Sequence, residues 1–187
     1  MKRILLGATA IAALIANSAQ AMLYDVNRSF SLGPDSATLT GTVDIPLGSY
    51  TIMNMGASPF TSVNLTLNVN SVSYNVNNAL TSLISGTGRF FINATPTTLI
   101  FNTANANGGN PADLVFSDTL SLSGNYYAIG HNGAPGFEAA YTSTAGFNVP
   151  ATLPTDFASA VVPEPSTCAL LLLPFGLHSI RKFRSRK

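Results

Sequence analysis

Across residues 37–45 every second side chain is apolar or small. Ala37, Leu39, Gly41, Val43 and Ile45 are interleaved with Thr38, Thr40, Thr42 and Asp44. The same period returns across residues 63–70, where Val63, Leu65, Leu67 and Val69 alternate with Asn64, Thr66, Asn68 and Asn70. Successive side chains of a strand point to opposite faces, so each run offers one apolar row to a core and one polar row to water. Val72, Tyr74 and Val76 continue the alternation after a turn. Further strands are expected at residues 23–32, 49–54, 89–93, 97–102, 114–117, 126–130 and 137–141. The breaks carry turn chemistry: Gly33-Pro34-Asp35, Pro46-Leu47-Gly48, Ser58-Pro59, Gly86-Thr87-Gly88, Asn107-Gly108-Gly109-Asn110-Pro111 and Asn132-Gly133-Ala134-Pro135-Gly136. Many short strands with such turns predict an all-β fold, an antiparallel β-sandwich or Greek-key barrel. Residues 78–84 are the exception, read as one helical turn or two. No long amphipathic helix and no repeat of fixed period is visible, which argues against a solenoid.

Charge narrows the function classes. Only 9% of the chain is charged, against about 25% in an average domain. Between residues 22 and 160 the basic residues are Arg28 and Arg89 alone, against Asp25, Asp35, Asp44, Asp113, Asp118, Glu138 and Asp156, a net charge of −5. A phosphate backbone is held mainly by Lys and Arg, so nucleic acid is not a partner of this stretch. The single cysteine, Cys168, lies outside it, so no disulfide can staple the domain. About 140 residues bury enough apolar area to fold without one.

The two ends differ from the middle. Met1-Lys2-Arg3 is a basic lead, residues 4–16 are apolar and rich in Ala and Leu, and Ala19-Gln20-Ala21 gives the small-x-small pattern of a signal-peptidase site. Cleavage is expected after Ala21, through the export translocon and signal peptidase, giving a mature chain that begins at Met22. At the other end Val162-Pro163-Glu164-Pro165-Ser166-Thr167 precedes an apolar run of 13 residues, 168–180, and then the basic residues Arg181, Lys182, Arg184, Arg186 and Lys187. As a helix that run spans about 20 Å, short of a hydrocarbon core of about 30 Å. Pro174 and His178 weaken it further as a lasting anchor. The basic tail stays cytoplasmic by the positive-inside rule, which leaves Glu164 and the middle domain across the membrane. A transient membrane stop fits best.

The order of polar motif, apolar segment and basic tail resembles the PEP-CTERM sorting signal of bacterial exported proteins. The likeness covers residues 162–187 together with the N-terminal signal. The same kind of tail also carries the label ice-binding protein C-terminal domain, which describes the tail and not an activity. The resemblance implies an exosortase, a membrane-embedded protease with a cysteine nucleophile, that recognises the motif and removes the tail. It also implies an exported product at the cell surface or outside the cell, in exopolysaccharide and biofilm surroundings. Cys168, Pro174 and His178 depart from the Leu, Ala and Gly usual in that segment. The physical logic agrees: Pro163 and Pro165 hold the motif extended and remove two backbone donors, with Glu164 as one charged handle between them.

The expected organisation is thus a signal helix at 1–21, a β-domain at 22–147, an extended linker at 148–161 and a sorting signal with a short transmembrane helix at 162–187. The linker reading rests on the prolines and small residues of N-V-P-A-T-L-P-T-D-F-A-S-A.

Chemistry-bearing motifs in the middle are few. Gly86-Thr87-Gly88-Arg89 lacks the third glycine and following helix of a dinucleotide fingerprint and reads as a turn before a strand. Asn105, Asn107, Gly108, Asn110 and Asp113 form an oxygen-rich loop of the kind calcium takes, but with one carboxylate and no EF-hand spacing it reads as a surface loop. His131 is the lone histidine of the mature domain, without the partners of a zinc site and without a G-x-S-x-G elbow elsewhere. The Thr38, Thr40, Thr42 row is an ordinary solvated strand face. Three Asn-x-Ser/Thr triplets, at Asn27, Asn64 and Asn93, are the chance product of a Ser/Thr/Asn-rich chain. Tyr126, Tyr127, Phe137 and Tyr141 are either core or stacking residues for a sugar. The expectation is a non-enzymatic exported surface or matrix protein without a cofactor or metal. The alternative is a secreted carbohydrate-binding module, and a hydrolase comes last.

Overall fold

In the computed structural model of the chain, residues 21–52, 58–83, 89–104, 112–121, 123–131 and 136–161 are described. They form thirteen strands, all paired antiparallel, with no helix among the described residues. β1 (Ala21–Leu32), β2 (Asp35–Pro46), β3 (Gly48–Ile52), β4 (Ser62–Val69), β5 (Val72–Asn75), β7 (Arg89–Ala94), β8 (Thr98–Ala104) and β13 (Thr155–Ala160) build one sheet in the order β3-β7-β8-β13-β1-β2-β4-β5. β6 (Asn78–Leu83), β9 (Ala112–Ser117), β10 (Tyr126–His131), β11 (Gly136–Tyr141) and β12 (Gly146–Ala151) build the other, in the order β12-β11-β10-β9-β6. The fold is all-β, as the alternation predicts. The flanking signal and membrane helices fall in 1–20 and 162–187, outside the described residues.

The period of two fixes which rows face inward. In β2 the buried residues are Ala37, Leu39, Val43 and Ile45; in β4 they are Leu65, Leu67 and Val69. The five-stranded sheet contributes Leu114, Phe116, Tyr127, Ile129, Ala140 and Phe147 to the same core. Aromatic rings join the layers. Phe157 of β13 stacks on Phe101 of β8 at 4.1 Å and lies 5.7 Å from Phe116 of the opposite sheet. Phe30 of β1 lies 5.4 Å from Phe147 and 6.1 Å from Tyr127. Buried aromatic pairs of this kind add about 0.5–1.5 kcal/mol each beyond the area they remove from water.

Turn chemistry sets the registers. β1 and β2 pair over their full length, with Leu32 opposite Asp35, so Gly33-Pro34 is a two-residue turn; Gly33 has φ of 61°. β4 and β5 pair with Val69 opposite Val72, and Asn70 and Ser71 both take positive φ, 48° and 70°. That is the backbone of a type I′ hairpin. Only Leu47 separates β2 from β3, although the sheet order places these strands five positions apart. Two Cα–Cα steps reach less than 8 Å, so the eight-stranded sheet must coil until its β3 edge returns to the end of β2. Tyr50 records that return: its hydroxyl donates to the Pro46 carbonyl at 2.7 Å.

Two expectations are corrected. Residues 78–84 do not turn as a helix; Asn78–Leu83 is β6, an edge strand paired with β9 from Asn78↔Ser117 to Leu83↔Ala112. Residues 148–161 are not a tether. Gly146–Ala151 pairs with β11, and Thr155–Ala160 enters the eight-stranded sheet between β8 and β1. Phe157, read as part of a linker, is 2% exposed. The prolines that prompted that reading sit where strands tolerate them: Pro150 on the edge strand β12, and Pro154 in the bend before β13.

Candidate functional site

Three inward-facing polar side chains gather at one place. Arg28 of β1, Tyr127 of β10 and Glu138 of β11 meet between the sheets. Glu138 Oε1 accepts from Arg28 Nε at 2.8 Å and from the Tyr127 hydroxyl at 2.6 Å, with Arg28 Nη2 at 2.7 Å from the same oxygen. Arg28 Nη1 also donates to the Asp156 carbonyl at 3.3 Å. Burial pulls the Arg28 guanidinium down, but Tyr127 and Glu138 together outweigh it and hold it above its ordinary value. Burial, and then Glu138, push the Tyr127 phenol well above its ordinary value, so it remains a hydrogen-bond donor at any working pH. Glu138 Oε1 takes bonds from both partners, and the cluster ties one sheet to the other. Its geometry is that of a clamp between the sheets. Nothing in the sequence pairs Arg28 with Glu138, 110 residues away.

The outer face of the five-stranded sheet is the second place. Register puts Tyr126 opposite Tyr141, Ala128 opposite Ala139 and Val115, and Phe137 opposite Gly130. Val115, Ala128 and Ala139 are buried, although they point away from the main core. Leu80, Tyr126, Phe137 and Tyr141 pack over them, half-buried. The Tyr126 and Tyr141 rings lie 5.1 Å apart and tilted by 34°. Tyr141 also leans over Gly146 of β12, where any Cβ would meet its ring at 2.6 Å. Burial, then Tyr141 and Asp113, raise the Tyr126 phenol. Asp113 stands on the same face, and burial alone raises its carboxyl to about 6. Its Oδ1 is buried without a hydrogen-bond partner among the described residues.

The expected aromatics therefore separate. Tyr127 is core and belongs to the clamp, whereas Tyr126, Phe137 and Tyr141 share an outward face. Thr38, Thr40 and Thr42 lie on the outer face of the eight-stranded sheet. Their neighbours across β1 and β4 are Ser29 and Asn68, Asn27 and Thr66, and Asp25 and Asn64. That face is a mixed hydroxyl, amide and carboxylate surface, with no continuous threonine ladder. Asp118 closes the β9–β10 hairpin, its two oxygens accepting from the Asn125 backbone and side-chain amides at 3.0 and 2.6 Å. Among the described residues no three His, Cys, Asp or Glu side chains come together. Gly86-Thr87-Gly88, the loop positions Asn105, Asn107, Gly108 and Asn110, and the His131 side chain lie outside what the structure describes. So do Ala19, the motif Val162 to Thr167, and the tail Arg181 to Lys187.

Comparison of the chain with protein-family models, with curated proteins and with solved structures found no match.

Proposed function

We propose that residues 22–160 are an exported bacterial surface or extracellular-matrix domain, delivered by the N-terminal signal and released from the membrane at the PEP motif by an exosortase-type protease. In this reading the domain is a non-enzymatic, cysteine-free β-sandwich. The observation that carries it is where the chain enters and leaves. β1 and β13 are antiparallel neighbours, with Tyr24 opposite Ala160, and the Val161 N–H donates to the Leu23 carbonyl at 2.8 Å. The segments before Ala21 and after Val161 thus depart from the same end of one sheet. One membrane can hold both during export without pulling the domain open. A Glu164→Ala variant of the full chain, expressed in the native host, tests the reading. The wild type is expected at the surface or in the medium without Arg181 to Lys187, and the variant in the membrane with its tail retained. Equal release of both contradicts it.

A second reading, a secreted carbohydrate-binding module, is favoured by one observation: Tyr126, Phe137 and Tyr141 lie together on an outward sheet face over a floor of small residues. Aromatic faces there suit the C–H face of a sugar ring. Tyr141→Ala is expected to weaken glycan binding while Tyr127→Phe leaves it intact. The opposite pattern argues against the platform.

A further inference from the structure

The outer face of the eight-stranded sheet is mainly Ser, Thr, Asn and Asp along β1, β2 and β4, with Leu23 an exception, but its character changes at the β3 edge. There Phe91 and Ile100 interrupt the polar rows. Register aligns Thr51, Phe91 and Asn102 in one row and Ser49, Asn93 and Ile100 in the next. Pro154, from the bend before β13, closes one side. These side chains line an open depression of about 350 Å³, at the small end of the ~300–1,000 Å³ typical of ligand sites.

We infer that this depression binds one uncharged pyranose unit of a polysaccharide. The inference rests on the carbohydrate-binding reading and gives it a second location, on the other sheet. Phe91 is half-buried and supplies the one aromatic ring among the outward residues of the two rows. The two amides are oriented by the protein. Asn93 Oδ1 accepts from Ser49 Oγ at 3.0 Å, and Asn102 Oδ1 accepts from the Thr103 backbone N–H at 2.8 Å. With both carbonyl oxygens engaged, the Nδ2 groups are the donors left for a ligand. The Ser49 hydroxyl, its proton given to Asn93, is left to accept, and the Thr51 hydroxyl can both donate and accept. A ring with one apolar face and a rim of hydroxyl and ether oxygens complements that set. The side chain of a peptide phenylalanine would leave the amides and hydroxyls unpaired, at a desolvation cost.

Charge selects against acidic sugars. No lining residue is charged at neutral pH. Arg89 stands one pleat along β7 from Phe91 on the same face, and Asp156, the register partner of Ile100, places a carboxylate on the neighbouring strand β13. The domain as a whole carries −5, which repels a polyanionic chain.

The test uses the processed protein purified from its host, titrated calorimetrically with neutral hexasaccharides (gluco-, manno- and xylo-oligomers) and with an oligouronide. At least one neutral oligomer is expected to bind, with affinity unchanged between low and high salt. Phe91→Ala and the exposed Asn93→Ala should each weaken it about tenfold. Arg89→Gln should leave it unchanged, and Asn93→Ala should keep the wild-type melting temperature. No binding by any neutral oligomer, or binding to the oligouronide alone with loss on Arg89→Gln, overturns the inference. Neutral binding lost on Tyr141→Ala but kept in Phe91→Ala and Asn93→Ala also overturns it, while leaving the carbohydrate-binding reading in place.

Discussion

Phe157 touches the rings of Phe101, Phe116 and Tyr127, so it holds both sheets at once. Its truncation to Ala leaves a cavity in the middle of the core. Phe157→Ala is expected to cost about 3–5 kcal/mol, read as a lower urea midpoint at unchanged slope. Arg28 and Glu138 act differently. Removing one strands the other between the sheets, so Arg28→Ala should cost on the order of 3 kcal/mol. A joint Arg28→Met, Glu138→Met variant should cost less than the two single changes added together. Asp113 makes a pH prediction. Its carboxyl rises from 3.8 to about 6 on folding because of burial, so the native state holds a proton that the unfolded chain has released. The unfolded chain binds fewer protons in that window, and stability falls as pH rises from about 4 through about 6. Asp113→Asn should flatten that fall in the urea midpoint; an equally steep fall in the variant would assign it to other groups. None of these three roles could be read from the sequence. Phe157 stands alone among small and polar residues, and its burial is set by β8 and β1, strands distant along the chain. Arg28 faces inward at an alternation position that sequence pattern assigns to hydrocarbon.

At the scale of elements the sequence was most legible where alternation was strict. β2 and β4 lie within a residue or two of the runs that predict them, because one-residue slips there would turn every buried side chain to water. β6 was not legible: Asn-Ala-Leu-Thr-Ser-Leu has no strict period, and its state is decided by the open edge of β9, which offers it a full ladder of hydrogen bonds. The β4–β5 hairpin was foreseen only as a turn, since Asn70-Ser71 lacks the glycine usual at such positions. Ser71 at φ 70° should welcome that glycine. Ser71→Gly is expected to stabilise by about 0.5–1 kcal/mol, visible as a higher melting temperature. Gly41 makes the opposite case. It has φ of 125°, and a Cβ there would meet the carbonyl oxygen of Asn64 on β4. Gly41→Ala should destabilise by about 1–3 kcal/mol in the same assay.

For the whole molecule the correction at residues 148–161 matters most. The sequence places fourteen residues of slack between domain and sorting motif; the structure spends them on β12, a bend and β13. Val161 is still bonded to Leu23, and Val162 of the motif follows directly. At the other end Ala21, the expected last residue of the signal, already pairs with Pro46 in β1. Both expected cleavage points therefore border a strand in the middle of the eight-stranded sheet. Ending the chain at residue 147, where the sequence alone places the domain boundary, would remove β13 from between β8 and β1 and is expected to abolish cooperative unfolding. Ending it at 161 should preserve that transition. The proposed product is a domain trimmed on both sides to the limits of its sheet, and intact-mass measurement of the protein recovered outside the host cell tests this most directly. A single species beginning at Met22 and ending within the Val162 to Thr167 motif is the expected result. A membrane-bound species that keeps Arg181 to Lys187, or one that keeps Met1 to Ala21, would contradict it.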